Sequence, residues 1–222
     1  MQQPIMRRVR GDGVQIELAV WEGRGKNVLA VHGLTANCRC WDLVARSLTP
    51  AHRLLAVDLR GRGCSDKPPT GYSEQRHVGD LKAVMDDLGL QEAVLMGHSL
   101  GGYIALAFAA EHPQRVSGLI IMDAGGDLSP EQWERVSAAI KPALQRLLQT
   151  FPSVEAYLGQ MKRAPVFQPW SETIENYFRY DLEQTNEGVR SKIRFEHISE
   201  EMANKRQTPP ARYYPLIRCP GG

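Results

Sequence analysis

Short, uninterrupted apolar runs recur through the first half of the chain: Asn27-Val28-Leu29-Ala30-Val31, Arg53 to Val57, Ala93-Val94-Leu95-Met96 and Val116 to Met122. Their length and their lack of alternation predict strands buried on both faces of a sheet. Between them lie segments with helical spacing. Trp41, Val44 and Leu48 predict a short helix, and Val78, Leu81, Met85 and Leu88 form one face of another, opened by Ser73 as N-cap. An Ala-rich run, Leu100 to Ala110, predicts a third. This alternation predicts a mostly parallel sheet with helices on both faces, an α/β fold. Arg7 to Trp21 reads differently. Val14, Ile16, Leu18 and Val20 alternate, and Gly11-Asp12-Gly13 supplies a turn, so a hairpin is expected at the edge of that sheet.

At Asp127 the rhythm changes. Ser129-Pro130-Glu131-Gln132 is a capping box with proline at the first helical position. Trp133, Val136, Ile140, Leu144 and Leu147 follow as a helical stripe, with a kink expected at Pro142. Helical patterns continue over Val154–Met161, Thr173–Leu182 and Val189–Met202. The predicted organisation is therefore a core over residues 1–126, a helical cap over 127–208, and a returning core strand within 209–222, at Tyr214 to Cys219.

Composition narrows the function classes. Among 222 residues, 27 Lys plus Arg oppose 25 Asp plus Glu, a net charge of +2 that gives no reason to expect nucleic acid or an anionic membrane as partner. The N-terminal MQQPIMRRVRGDG lacks the apolar core of a signal peptide, and no apolar run approaches the length of a membrane span. Cys38, Cys40, Cys64 and Cys219 form no C-x-x-C pair, and Cys38-x-Cys40 has no matching second pair. Reduced thiols, a cytoplasmic location and no metal or cofactor are expected.

The candidate chemistry sits at Gly97-His98-Ser99-Leu100-Gly101, between the Ala93 strand and the Ala-rich helix. G-x-S-x-G at a strand-to-helix turn is a nucleophile elbow: the serine takes a strained conformation, and its flanking positions have no room for a Cβ. The turn presents the hydroxyl at a helix N-terminus, where free N–H groups favour developing negative charge.

Together with Val31-His32-Gly33-Leu34, the loop Asp58-Leu59-Arg60-Gly61-Arg62-Gly63-x-Ser65-Asp66-Lys67-Pro68, and Val116-x-x-Leu119-Ile120-Ile121-Met122-Asp123, this stretch resembles the α/β-hydrolase superfamily, in its esterase-like branch with a helical cap. The resemblance covers nearly the whole chain. It implies Ser99 as nucleophile and the backbone N–H groups of Leu34 and Leu100 as the oxyanion hole. Serine rather than aspartate at position 99 speaks against the dehalogenase and epoxide-hydrolase relatives.

The chain departs from the superfamily at its far end. The triad order is Ser, then Asp or Glu, then His, with the histidine after the last strand, and the last strands are missing here. Beyond Ser99 the histidines are His112, at a helix end, and His197, in a cap helix. His98 is expected to point away from the site and His32 to shape the oxyanion loop. Some relatives place the acid after an earlier strand, which makes Asp123 a candidate; the alternative is an aspartate that only bonds its loop. Asp58 reads as a loop anchor. Trp133, Phe167, Trp170, Tyr177 and Phe178 either line a pocket or pack the cap.

The expected function is acyl transfer on a small carboxylic ester, with amides, lactones and carbon–carbon bonds beside a ketone left open. For lack of a base histidine, weak activity or none is expected of these residues. The rival is a non-catalytic ligand-binding or scaffold protein on the same fold, and a third reading has a second chain completing the sheet. Neither the substrate nor the oligomeric state is fixed by the sequence.

Overall fold

The computed structural model describes residues 3–205 and 209–219. Six strands form one sheet: β1 (Ile5–Arg10), β2 (Gln15–Trp21), β3 (Asn27–Val31), β4 (Arg53–Val57), β5 (Ala93–His98) and β6 (Val116–Met122), in the order β1-β2-β4-β3-β5-β6. β1 and β2 form the expected hairpin, closed by the Gly11 N–H donating to the Val14 carbonyl at 2.8 Å. β2 joins β4 antiparallel, and β4, β3, β5 and β6 run parallel.

Period-two alternation divides the strand side chains between two cores. Leu18, Val20, Leu29, Val31, Leu55, Val57 and Leu95 pack on one face beneath α2 (Glu74–Asp87) and α3 (Leu100–Glu111). Ala19, Trp21, Val28, Ala30, Leu54, Ala56 and Met96 face the other way, against Trp41 and Ala45 at the start of α1 (Asp42–Leu48). This is why the central runs are apolar without a break: both faces are covered. Ser73 caps α2 as predicted, accepting from the Arg76 N–H.

After β6 come α4 (Pro130–Leu147), α5 (Val154–Arg163), α6 (Glu172–Asp181), a hairpin of β7 (Leu182–Thr185) and β8 (Gly188–Ser191), and α7 (Phe195–Lys205). The capping box forms as read: the Ser129 hydroxyl accepts from the Gln132 N–H, and the Ser129 N–H donates to the Gln132 side chain at 2.7 Å. α4 runs through Pro142. The helix expected over Val189–Met202 is corrected to a strand followed by α7. The Phe151 backbone decides this by exchanging two hydrogen bonds of 2.8 Å with Val189, which pulls that segment into an extended pairing.

The returning strand expected at Tyr214–Cys219 is also absent. Pro210–Arg212 and Tyr214–Leu216 are 3₁₀ turns with proline at their starts, where its missing N–H costs nothing. Tyr213 between them is buried in the α2–α3 core.

α3 is apolar on all sides, with nearly every residue buried, and its first turn lies against the end of β3. A Cβ on Gly101 would fall within the Val31 carbonyl and 2.7 Å from the His32 carbonyl oxygen. Gly101→Ala is expected to lower the unfolding free energy by about 2 kcal/mol or more, read as a reduced urea midpoint at unchanged slope.

Candidate active site

Ser99 is the hinge between β5 and α3, with φ 52° and ψ −118°. A non-glycine residue holds such a conformation only where its surroundings over-determine it. Three constraints do so here. The Ser99 N–H donates to the Met122 carbonyl at 2.9 Å, and its own carbonyl accepts from the Gly102 and Tyr103 N–H groups. On its flanks, a Cβ at Gly97 would strike the Gly101 backbone, and one at Gly102 would lie 2.6 Å from the Ala124 Cβ.

Leu34 and Leu100 line one small cavity together with Ser99. The Leu100 N–H, at the first position of α3, has no acceptor within its helix. The Leu34 loop is held from two sides. Its carbonyl accepts from the buried Arg62 Nε at 3.1 Å. Next to it, His32 is fully buried, with Nδ1 2.7 Å from the Gly33 carbonyl while Nε2 accepts from the Leu59 N–H at 3.1 Å. That pairing requires a neutral ring protonated at Nδ1. Burial pushes the His32 pKa down to about 4, so the ring stays neutral.

Asp58 is the anchor the sequence suggested. Its buried carboxylate accepts from the Cys38 N–H at 2.7 Å, the Cys64 N–H at 2.9 Å and the Tyr180 hydroxyl at 2.6 Å, joining the core loops to α6.

Asp123 follows β6 with φ 51°, and its side chain is 90% exposed. It lines a cleft of about 490 Å³ with Ser99, Tyr103 and Gly126 beneath α4. His98 approaches Asp123 loosely, with Nε2 3.9 Å from the carboxylate. The other histidines lie elsewhere. His112 ends α3, eleven or more residues from the elbow along a helix rising ~1.5 Å each, and its ring tilts on Phe108. His197 stacks on Tyr72 at 4.3 Å and lines neither cavity bordered by Ser99.

The small cavity, about 50 Å³, is walled by Leu34, Leu100, Trp133, Val136, Ile140 and Met202, with Glu201 at its side. Of the five aromatic candidates, Trp133 alone lines it. Phe178 centres a separate cluster between α5 and α6, with Phe167, Trp170 and Tyr177 packed around it. Sequence reasoning missed the buried charges behind this cavity. Arg62 pairs with Glu201, and His77 Nε2 lies 2.6 Å from the other Glu201 oxygen. Burial alone would raise the Glu201 pKa, but Arg62 and His77 outweigh it and hold the carboxyl well below its ordinary range. Among the described residues no cluster of His, Cys, Asp or Glu is arranged to hold a metal ion, and no helix is long and apolar enough to cross a membrane.

Ser99 is thus a strained serine at a glycine-flanked strand–helix turn, bordering a cleft beneath α4. The profile of the α/β hydrolase fold matches residues 26–195. The chain belongs to the α/β hydrolase fold family. It is 34% identical over 156 residues to 2-(acetamidomethylene)succinate hydrolase of Mesorhizobium japonicum, covering 70% of this chain and 55% of that protein. It is 31% identical over 160 residues to cis-3-alkyl-4-alkyloxetan-2-one decarboxylase of Shewanella oneidensis, covering 65% and 49%. The chain thus spans about half the length of these curated relatives. A crystal structure of E-2-(acetamidomethylene)succinate hydrolase superposes with a TM-score of 0.84 at 24% identity, over 98% of this chain and 79% of that one.

The neutrality of His32 generates a pH prediction. Between pH 6.5 and 4 the unfolded chain binds a proton at this site and the folded chain does not, so stability falls as the pH drops through that window. The loss amounts to about 3 kcal/mol at 1.36 kcal/mol per pKa unit. Urea unfolding of the wild type and His32→Gln at pH 7 and pH 4.5 is expected to show a smaller acid loss in the variant.

Proposed function

We propose that this chain carries the nucleophile half of a serine acyl-transfer site acting on a small carboxylic ester or amide. The observation that carries this is Ser99, held at φ 52° where β5 turns into α3, at the meeting of two cavities. The Ser99 hydroxyl attacks a carbonyl carbon, and the tetrahedral oxyanion rests on the Leu34 and Leu100 N–H groups. The leaving group departs with a proton, and water releases the acyl group. Asp123, at the rim of the larger cleft, is the candidate acid for orienting an imidazole. The relative named for hydrolysis of an acetamido compound supports including amides. The relative named as an oxetanone decarboxylase is a reminder that one fold hosts several reactions.

Among the described residues no histidine lines either cavity with Ser99. That observation also favours the second reading, a binding protein on a hydrolase fold. In a serine triad, loss of the base alone costs about a million-fold in turnover, roughly 8 kcal/mol, and the oxyanion hole retains about 10³–10⁴ over water.

These 222 residues are therefore expected to acylate slowly. With p-nitrophenyl acetate, intact-mass spectrometry is expected to find one acetyl group on Ser99, formed over minutes to hours and absent from Ser99→Ala. Equal labelling of both proteins would leave only the binding reading. Brisk turnover lost in His197→Ala would place the base on α7 after all.

A further inference from the structure

The two cavities that meet at Ser99 differ in size and chemistry, and that difference selects a substrate. The larger cleft, about 490 Å³, is bordered by Asp123, Gly126 and Tyr103 on one side and by Leu128, Val136 and Ile140 on the other. The Tyr103 hydroxyl donates to the Gly126 carbonyl at 3.0 Å. The smaller cavity, about 50 Å³, is walled mostly by apolar side chains, Trp133 among them, with Glu201 at its side. Leu34 and Leu100, whose N–H groups are assigned above to the oxyanion, are walls of the smaller cavity and not of the larger one.

A tetrahedral carbon on Ser99 has two substituents besides its oxygens to the serine and the oxyanion hole: the acyl chain and the leaving group. The leaving group must reach solvent before water attacks, and it departs as an alcohol or amine that needs polar surroundings. The larger cleft offers both room and polar atoms. The acyl chain stays bonded to Ser99 through the acyl-enzyme stage, so it is the part that an apolar recess beside the oxyanion hole must hold.

The charged groups behind the recess are already committed. Arg62 donates to the Leu34 carbonyl at 3.1 Å and the Arg60 carbonyl at 3.1 Å, and its remaining arm pairs with Glu201. The second Glu201 oxygen faces His77. Each nitrogen of that guanidinium already has an acceptor, and Arg62 is not in the cavity wall, where the charged residue is Glu201, which repels a carboxylate on the substrate. An acyl chain ending in a charge would lose its water here without gaining a partner, which costs more than any contact returns.

Resting on the acyl-transfer reading above, we propose that the recess between Leu34, Leu100 and α4 is an acyl pocket for short uncharged groups, acetyl or propionyl, carried on a larger leaving group seated in the Asp123 cleft. Trp133 borders this recess and not the larger cleft, while Ile140 borders both. In a filled pocket one surplus methylene is worth about 1–3 kcal/mol, or roughly 10–200-fold in rate. Chain length on the acyl side is therefore a steep variable, and size on the leaving-group side a shallow one.

The test is single-turnover acylation of Ser99, followed by intact mass, with two ester series. In the first, the p-nitrophenyl group is constant and the acyl group is acetyl, butyryl, octanoyl or hemisuccinyl. In the second, the acetyl group is constant and the phenol grows from p-nitrophenyl to a nitronaphthyl ester. The expected result is a fall of about tenfold or more from acetyl to butyryl, less still for octanoyl and hemisuccinyl, and a change of only about threefold across the second series. Trp133→Ala and Ile140→Ala, each checked for native circular dichroism, are expected to narrow the acetyl-to-octanoyl ratio by about tenfold. A flat profile in the first series, or a steep one in the second, would overturn the pocket assignment while leaving Ser99 as the nucleophile. Absence of a Ser99 label with every ester would overturn the acyl-transfer reading itself, and the pocket with it.

Discussion

The site depends first on a steric constraint at the end of β5. Three close approaches there exclude a methyl group: Gly97 against the Gly101 backbone, Gly101 against the Val31 and His32 carbonyls, and Gly102 against the Ala124 Cβ. Only with glycine at these positions does α3 start close enough to β3 and β5 to force Ser99 to φ 52°. The strain is supported by hydrogen bonds to both neighbours of the turn, including the Met122 carbonyl at the end of β6. The price of that geometry is spread over a helix that is buried on every side, so it does not relax.

Around this turn the structure places buried polar groups, and each has a defined task. His32 spans the Gly33 carbonyl and the Leu59 N–H, which it does only as the neutral Nδ1–H tautomer. Asp58 gathers two backbone N–H groups and the Tyr180 hydroxyl. Arg62 spans the Leu34 carbonyl and Glu201 of α7. Breaking such a buried pair strands a charge at a cost of about 3–5 kcal/mol, although the intact pair adds little stability over an apolar one. Its effect is on geometry. The loop bearing the proposed oxyanion donor is tied to α7 through one guanidinium.

The local features of this arrangement were legible in the sequence, and the long-range ones were not. Uninterrupted apolar runs gave the parallel strands, Gly97 and Gly101 gave the turn, and Ser129 with Gln132 gave the start of α4, because each is a pattern within a few residues. The partner of Arg62 lies 139 positions away, and nothing near Glu201 marks it as a buried ion. The spacing from Val189 to Met202 suits a helix, but the decision belongs to the backbone of Phe151. Tyr214 to Cys219 has the apolarity of a strand, but Pro210 and Pro215 start 3₁₀ turns there and Tyr213 anchors them in the core. For the aromatic residues after β6, composition could not separate pocket from packing. Position did: Trp133 is on the helix that roofs Ser99, whereas Phe178 faces α5.

The half-buried face of α4 follows from the same logic. An amphipathic helix whose apolar stripe meets a close-packed partner is buried along that stripe, as α2 is through Val78, Leu81 and Met85. On α4 only the last turn reaches that state, at Arg146 and Leu147. Trp133, Val136 and Ile140 instead face the cavities at Ser99. These three side chains are only partly buried, and the capping box and Pro130 hold the helix start. A core that holds the serine at φ 52° is thus paired with a half-buried helix face bordering the cavities. In that division, substitutions at the turn act on stability and geometry together, while substitutions along α4 act on what the site accepts.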